Sequence, residues 1–366
     1  MKNTFGSSLQ VTIFGESHGP YIGAVLDGLA PGIEIDDELI KHELKLRRPS
    51  GDISTKRVEE DNYQIVSGVY KGKTTGTPLC ILIPNTKQHS DDYEAAERIA
   101  RPGHADYTAF CKYHGFEDYH GGGHFSGRIT AALVAAGAIA MRALSEKGIY
   151  VGTHIKKLAD IEDRDFNELD KDVKALSQKE FPALDSKAEE KMKEEILKVR
   201  EDGDSVGGIL ETVITGVPSG VGEPFFDSVE SIISHVLFSV PGVKGIEFGA
   251  GFEGVCKRGS EFNDPFRVEG EKVVTTSNNN GGINGGITNG MPILFRTAVK
   301  PTPSIYKEQD SIDINSNKNA TLKVKGRHDP AIIHRAKVVV DAVTCLLIYD
   351  LISGRFGTDF FLGGKE

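Results

Sequence analysis

Two stretches of this chain are apolar on nearly every face. SGRITAALVAAGAIAMRALSEKG, residues 126–148, is helical in residue choice and almost free of charge until Arg142; DPAIIHRAKVVVDAVTCLLIYDLISG, residues 329–354, is a second stretch of the same kind. A helix that is apolar all round belongs inside a core. Two of them require covering layers on both sides. In the second, Asp329 reads as the N-cap and Pro330 as the first helical residue.

Strands suited to those layers are present. SLQVTIF (8–14) and YIGAVLDG (21–28) read as strands joined by a turn, and residues 62–84 alternate and break at glycines like a hairpin. DDELIKHELKLRRP reads as a helix with Asp36 as N-cap, acids in its first turn, Arg47 and Arg48 in its last, and Pro49 as its stop. Further on, residues 205–220, 243–255 and 291–300 read as strands, with a helix over 225–240. Residues 158–204 are strongly charged, and EEKMKEEILKVRED within them reads as a solvated amphipathic helix, so this is the expected surface segment or linker.

The 366 residues are enough for one large domain or two ordinary ones. A formal charge of -10, with no stripe of Lys and Arg, argues against nucleic-acid binding. A small anionic substrate would then need a locally basic pocket. The four cysteines are far apart and form no C-x-x-C, which suggests free thiols in a reducing compartment. The first ten residues lack the apolar centre of a signal peptide, and no window holds 18 uninterrupted apolar residues. A cytoplasmic protein with no membrane partner is expected.

GESHG, residues 15–19, fits the G-x-S-x-G pattern of a hydrolase nucleophile elbow, with Ser17 as nucleophile. That elbow needs a helix after the turn, and the text here reads as a strand. GAGFEG, residues 249–254, matches a dinucleotide fingerprint but is not followed by a helix to hold a pyrophosphate. His120 and His124 have the spacing of helical metal ligands, yet three glycines separate them and no carboxylate pattern accompanies them, so no metal is expected. HGGGHFSGR, residues 120–128, is more informative. Its glycines let backbone N–H groups converge, Ser126 can cap the following helix, and Arg128 adds charge, which together make an anion cradle. In GRHDP, Arg327 and His328 crowd a second helix start; RPGHADY and KPTPS add His104 and Lys300 on stiff turns.

In this order, GESHG, RRP, RPGHADYT, GGGHFSGRIT, GGITNG, KPTPS and GRHDPAIIHRA resemble the chorismate synthase family nearly end to end. The resemblance implies an α+β fold, a single domain over residues 1–366 layered as helices between antiparallel sheets and assembled as a homotetramer. It implies a lyase that eliminates phosphate and a ring proton, 1,4 and anti, from 5-enolpyruvylshikimate 3-phosphate. Reduced FMN is required without net redox change. NADPH would enter only indirectly, through a separate flavin reductase.

Residue by residue, the resemblance makes His18 the acid for the departing phosphate and His104 the acid for the flavin. Asp329 would assist proton transfer, supported by Ser17 and Ser126. Arg47, Arg48, Arg128 and Arg335 would clamp the substrate's anions. Flavin contacts would come from His124, Phe125, Ser126, Pro241, Gly242, Gly285, Lys300, Pro301, Thr302, Pro303, Ser304 and Arg327. The chain departs from the family pattern at His124-Phe125, at residues 50–57, where an anion contact expected near Ile53 would fall to Lys56 or Arg57, and at Asp341, where a longer carboxylate is usual. A serine hydrolase using Ser17 and a non-catalytic flavin-binding protein stand as the other readings.

Overall fold

The computed structural model describes residues 3–49, 51–54, 61–86, 98–324 and 328–362. Strands β1 (Thr4–Phe5), β2 (Gln10–Gly15), β3 (Tyr21–Asp27), β4 (Gln64–Ser67) and β5 (Leu79–Pro84) form one antiparallel sheet in the order β1-β2-β3-β5-β4. Strands β6 (Tyr150–Leu158), β7 (Ile161–Glu162), β8 (Gly208–Thr215), β9 (Val243–Phe248) and β10 (Ile293–Val299) form a second, in the order β9-β10-β8-β6-β7. Among the described residues, the helices of eight residues or more are α1 (Asp37–Arg47), α2 (Asp106–Tyr113), α3 (Thr130–Ser145), α4 (Leu169–Leu176), α5 (Ser186–Glu201), α6 (Val229–Leu237) and α7 (Ile333–Phe356).

The two apolar helices form the middle layer. α3 packs on β3 and β5 of the first sheet and on β6 of the second, and α7 packs on β6 and β8. Each sheet turns one face inward at the period of two that a strand imposes. Leu79, Ile81 and Ile83 of β5 are fully buried, as are Ile293, Phe295 and Thr297 of β10. With its leading turn, α3 is long and apolar enough to cross a membrane, but its apolar residues are spent on this core. The two helices cross almost backbone to backbone: a Cβ on Gly137 would lie 2.5 Å from the Ala342 Cβ. The α+β sandwich expected from the sequence is the one observed.

Two local expectations are corrected. α7 begins at Ile333 with Ile332 at its N-cap position, and the Asp329 carboxylate is held instead by the Arg335 guanidinium. A full charge is a stronger partner than backbone N–H groups, and the chain stays non-helical over 329–332. The charged segment 158–204 is also no loose linker. Gly152 and His154 share the face of β6 opposite Thr153, which bonds Asp341 of α7; α4 covers that outer face, with Val173 against Gly152. The Asp163 carboxylate fastens the segment, accepting from His154 Nδ1 at 2.8 Å and from the backbone N–H groups of Leu184 and Asp185 at 2.6 and 2.9 Å. Phe181, Met192 and Ile196 join the hydrophobic core.

The chain's ends meet in this layer. Asp350 of α7 accepts from the backbone N–H groups of Ser7, Ser8 and Leu9, and the Tyr349 hydroxyl accepts from Ala30 N at 2.8 Å. Sites carried by the first turn and the last helix are thereby brought to one side of the molecule.

Candidate active site

GESHG connects β2 to β3 as an antiparallel hairpin, so Ser17 sits on no strand-to-helix elbow. Its conformation is held from outside: Asn85 Nδ2 donates to the carbonyls of Glu16 and Gly19 at 3.0 and 2.7 Å. The Ser17 hydroxyl donates to the His120 carbonyl at 3.0 Å, and its oxygen lies 3.0 Å from His18 Nδ1. A hydroxyl has one proton to give. With that proton on a carbonyl, Ser17 accepts from His18 Nδ1–H, and Nε2 is the nitrogen through which His18 can exchange a proton. Gly121 presses on the same ring, at φ +58, where a Cβ would lie 2.1 Å from His18 Cε1. Only glycine fits there.

The glycine run 121–123 has positive φ throughout and folds against GESHG. Ser17 N donates to Gly123 O at 3.1 Å, and His124 Nδ1 donates to Gly15 O at 2.8 Å. His124, one of the departures from the family pattern, thus ties the two loops together. Ser126 caps as expected, accepting from Arg128 N at 3.3 Å at the head of the short turn Gly127–Ile129 that leads into α3.

Two cavities adjoin at this point. The larger, about 600 Å³, is lined by Arg101, Gly103, His104, Gly121, Gly122, His124, Phe125, Ser126, Pro241, Gly242, Lys300, Thr302 and Pro303 over apolar side chains that include Ile129, Leu133 and Ile332. The smaller, about 250 Å³, is lined by Arg47, Arg128, Arg335 and Asp329. Ser126, Gly127, Thr130, Val240, Pro241 and Ile332 line both. An apolar slot with a polar rim thus opens beside a basic pocket.

The basic pocket is assembled around a residue the sequence gave no reason to single out. Asp61 pairs with Arg47 at 3.0 Å, with Arg48 at 3.4 Å and with Arg128, and it takes a positive φ of 45. Burial would push its carboxyl up, but Arg47 and Arg128 outweigh that and hold it below its usual value. Arg128 also donates to Asn85 Oδ1 at 3.0 Å, and Arg335 Nε to the Arg47 carbonyl at 2.8 Å. Four guanidinium groups are therefore fixed before any ligand arrives. Asn85 and Asp61 are long-range partners with no motif of their own, which is why the sequence does not mark them.

In the larger cavity His104 Nε2 lies 2.7 Å from Ser304 Oγ, and Lys300 Nζ donates to Gly103 O at 2.6 Å. Burial and then the Arg101 charge push the His104 imidazole down to about 4, so it is neutral near pH 7. Arg101 is itself clamped by Asp106, with Nε and one terminal nitrogen 2.8 and 2.7 Å from the two carboxylate oxygens. The Thr302 hydroxyl is buried without a hydrogen-bond partner on the wall of this cavity, a polar atom awaiting a ligand. A flat ring with a phosphate tail, as in FMN, fits that combination of apolar floor, glycine edges, lysine and orphaned hydroxyl.

Not every expected residue lies at these cavities: Ser17, His18, Arg48 and Ser304 stand behind lining residues and line neither. Gly285 sits in the ribbon of Ile283–Asn284 and Ile287–Thr288, whose Gly286 carbonyl accepts from Val229 N at 2.9 Å at the start of α6; it lines neither cavity. Pro301 is exposed between two lining residues. Arg327, Ser50, Lys56 and Arg57 lie outside the described residues. Asp341 is buried in the core, 2.5 Å from Thr153 Oγ1 and 2.8 Å from Lys337 Nζ, so its shorter side chain concerns packing between α7 and β6. GAGFEG runs from β9 into a short 3-10 turn, where Glu247 accepts from Phe252 N at 2.9 Å; a carboxylate occupies the place a pyrophosphate would need.

Known proteins match this chain along almost its whole length. The family model described as chorismate synthase matches residues 9–352. The chorismate synthase of Pyrococcus abyssi is 45% identical over 346 residues, covering 94% of this chain and 96% of that protein. The chorismate synthase of Methanosarcina mazei is 43% identical over 364 residues, covering 99% of both. A solved structure entitled "Crystal Structure of Chorismate Synthase" superposes with a TM-score of 0.76 at 29% identity, covering 96% of this chain and 94% of that one. With the family model matched over residues 9–352 and relatives this similar over nearly the whole of both chains, the chain belongs to the chorismate synthase family.

Proposed function

We propose that this chain carries out the reaction of its family, the anti 1,4-elimination of phosphate and a ring proton from 5-enolpyruvylshikimate 3-phosphate to give chorismate. The observation that carries this reading is the basic pocket of Arg47, Arg128 and Arg335 opening beside an apolar slot across the shared Ser126-Gly127 edge. The substrate brings a phosphate and two carboxylates, which call for fixed guanidinium groups in a chain that is acidic as a whole.

When bound in the larger cavity, reduced FMN supplies transient electron density to the substrate and is not consumed. Thr302, Lys300, His124, Phe125, Pro241 and Gly242 are the described residues that would hold it. His18, aligned by Ser17 through Nδ1, donates a proton from Nε2 to the departing phosphate. Arg47, Arg48 and Arg128, spaced by Asp61, hold the substrate's anionic groups and exclude water from them. Asp329, oriented by Arg335 on the wall of the basic pocket, takes up the ring proton. His104, neutral until about pH 4 without ligand and backed by Ser304, gains a proton only when an anion is brought beside it.

The whole chain acts as one domain in the cytoplasm and assembles as a homotetramer. Exposed aromatic side chains such as Phe225, Phe226 and Phe252 favour an assembly that covers them. Reduced flavin is drawn from a separate reductase, with NADPH used only there. Incubation of the protein with substrate and dithionite-reduced FMN without oxygen should release phosphate stoichiometrically with chorismate. No phosphate release would overturn the lyase. Turnover in air with NADPH and FMN and no second protein would overturn the external reductase, and sedimentation as a monomer would overturn the tetramer.

A further inference from the structure

A second imidazole stands beside His18. The rings of His18 and His120 are 6.5 Å apart, centre to centre, and tilted by 42°. His120 is also coupled to the Ser17–His18 pair through its backbone, since its carbonyl takes the Ser17 proton.

Its ring is held from two sides. Asp118 Oδ1 lies 2.6 Å from His120 Nδ1 and also accepts from His120 N at 3.0 Å. The ring stacks on Tyr119 at 4.5 Å and 21°, and the Arg98 guanidinium lies 4.5 Å from the Tyr119 ring centre while pairing with Glu117. Among the described residues, the charged and titratable groups beside His120 include Asp118, Tyr119, Arg98, Glu117 and His18. A carboxylate on Nδ1 fixes the proton there and leaves Nε2 as the nitrogen through which a proton can pass. About a third of the His120 side chain is open to solvent.

The reaction creates a need for such a group. The ring proton leaves on the Asp329 side, whereas the phosphate takes its proton from His18. Each cycle therefore leaves His18 one proton short and Asp329 one proton in excess; Asp329 releases its proton to solvent, so the net reaction consumes none. We propose that His120, held by Asp118, is a positioning residue that returns this proton. In the step, an N–H bond of the His120 imidazolium breaks and an N–H bond forms on neutral His18, across at most one water. The neutral His120 then takes a proton from solvent, with no electron transferred.

This inference rests on the assignment of His18 as the acid, and the test separates the two. In enzyme reconstituted anaerobically with reduced FMN, His120→Asn is expected to lower kcat about tenfold, less than the about 10²- to 10⁴-fold expected for losing the acid itself. The loss should deepen as pH rises and solvent protons become scarce, with KM for the substrate unchanged. Added imidazole should restore kcat in His120→Asn and leave the parent unaffected. Asp118→Asn should give a smaller loss in the same direction. A parental kcat and pH profile in His120→Asn, with His18→Ala inactive, would overturn the relay alone. A loss that imidazole does not restore would make His120 structural. Full turnover in His18→Ala would overturn the assignment of His18, and the relay with it.

Discussion

The carboxylate of Asp329 is held by the guanidinium of Arg335, six residues along the chain in the helix that follows, and not by the backbone N–H groups at that helix's start. Asp329→Ala should therefore destabilise the fold through a mostly buried arginine left without its counter-charge, by about 1–3 kcal/mol, rather than through a lost cap. Asp329→Asn should lose part of that stability and most of the activity with reduced FMN in excess, because an amide cannot carry a proton at neutral pH. Urea melts of both variants and of Arg335→Met, combined as a double-mutant cycle, measure the pair. Full activity in Asp329→Asn would remove the carboxylate from the chemistry.

Gly121 gives an independent probe of His18. Gly121→Ala asks for φ +58 on a residue with a Cβ and places that carbon 2.1 Å from the His18 ring, so the imidazole must move. Turnover is expected to fall by about 10²-fold or more, as when a positioned acid is lost, with modest change in melting temperature. His18→Ala should be at least as slow. A Gly121→Ala enzyme as fast as the parent would mean that the orientation of His18 is immaterial.

Two histidines, His104 half-buried and His334 buried, contribute to the acid side of the stability profile. His104 and His334 are both pushed down to about 4, His104 by burial and then Arg101, His334 by burial and then Arg335. Both are neutral when folded and bind protons from about pH 6.5 downward when unfolded. Their contribution to stability is complete above about pH 6.5 and is lost as pH falls toward about 4, each steepening the loss by up to about 1.4 kcal/mol per pH unit. Below that window neither adds further change. Thermal melts from pH 7 to 4 should show this slope, and His104→Gln should flatten it.

Asp61 is the counter-charge for arginines meant for the substrate. Asp61→Asn should cost up to about 3–5 kcal/mol, since the buried Arg47 and Arg128 lose this shared carboxylate. Inorganic phosphate should raise the melting temperature of this variant more than that of the parent, by entering the pocket as a replacement anion. Equal shifts in the two proteins would place the anion site elsewhere.

What could be read from the sequence was what depends on near neighbours. The Asp36 cap was legible because its partner, Leu39 N, is three residues away, and the fully buried character of α3 and α7 because their composition leaves no polar face. The same local logic failed at Asp329, where a side chain one turn into the next helix outcompeted the backbone. Over 158–204 the amphipathic helix was legible and is α5, but the charge along the segment gave no sign that Met192 and Ile196 on its apolar stripe join the main core. His18, His104, Lys300 and the arginines were found because they stand in motifs. Asp61 and Asn85, which hold those groups in place across the fold, stand in none.

The contact of Gly137 with Ala342 makes α3 and α7 the two blades of a pair of scissors. The pivot lies about seven residues from Thr130 on one blade and from Arg335 on the other, roughly 10 Å along each axis. At that leverage, a 10° change in the crossing would move the two tips by roughly 2 Å, more than a hydrogen bond between an arginine and an anion tolerates. A larger side chain at Gly137 would thus act at a distance, spreading the tips and misaligning a cavity whose own residues are untouched.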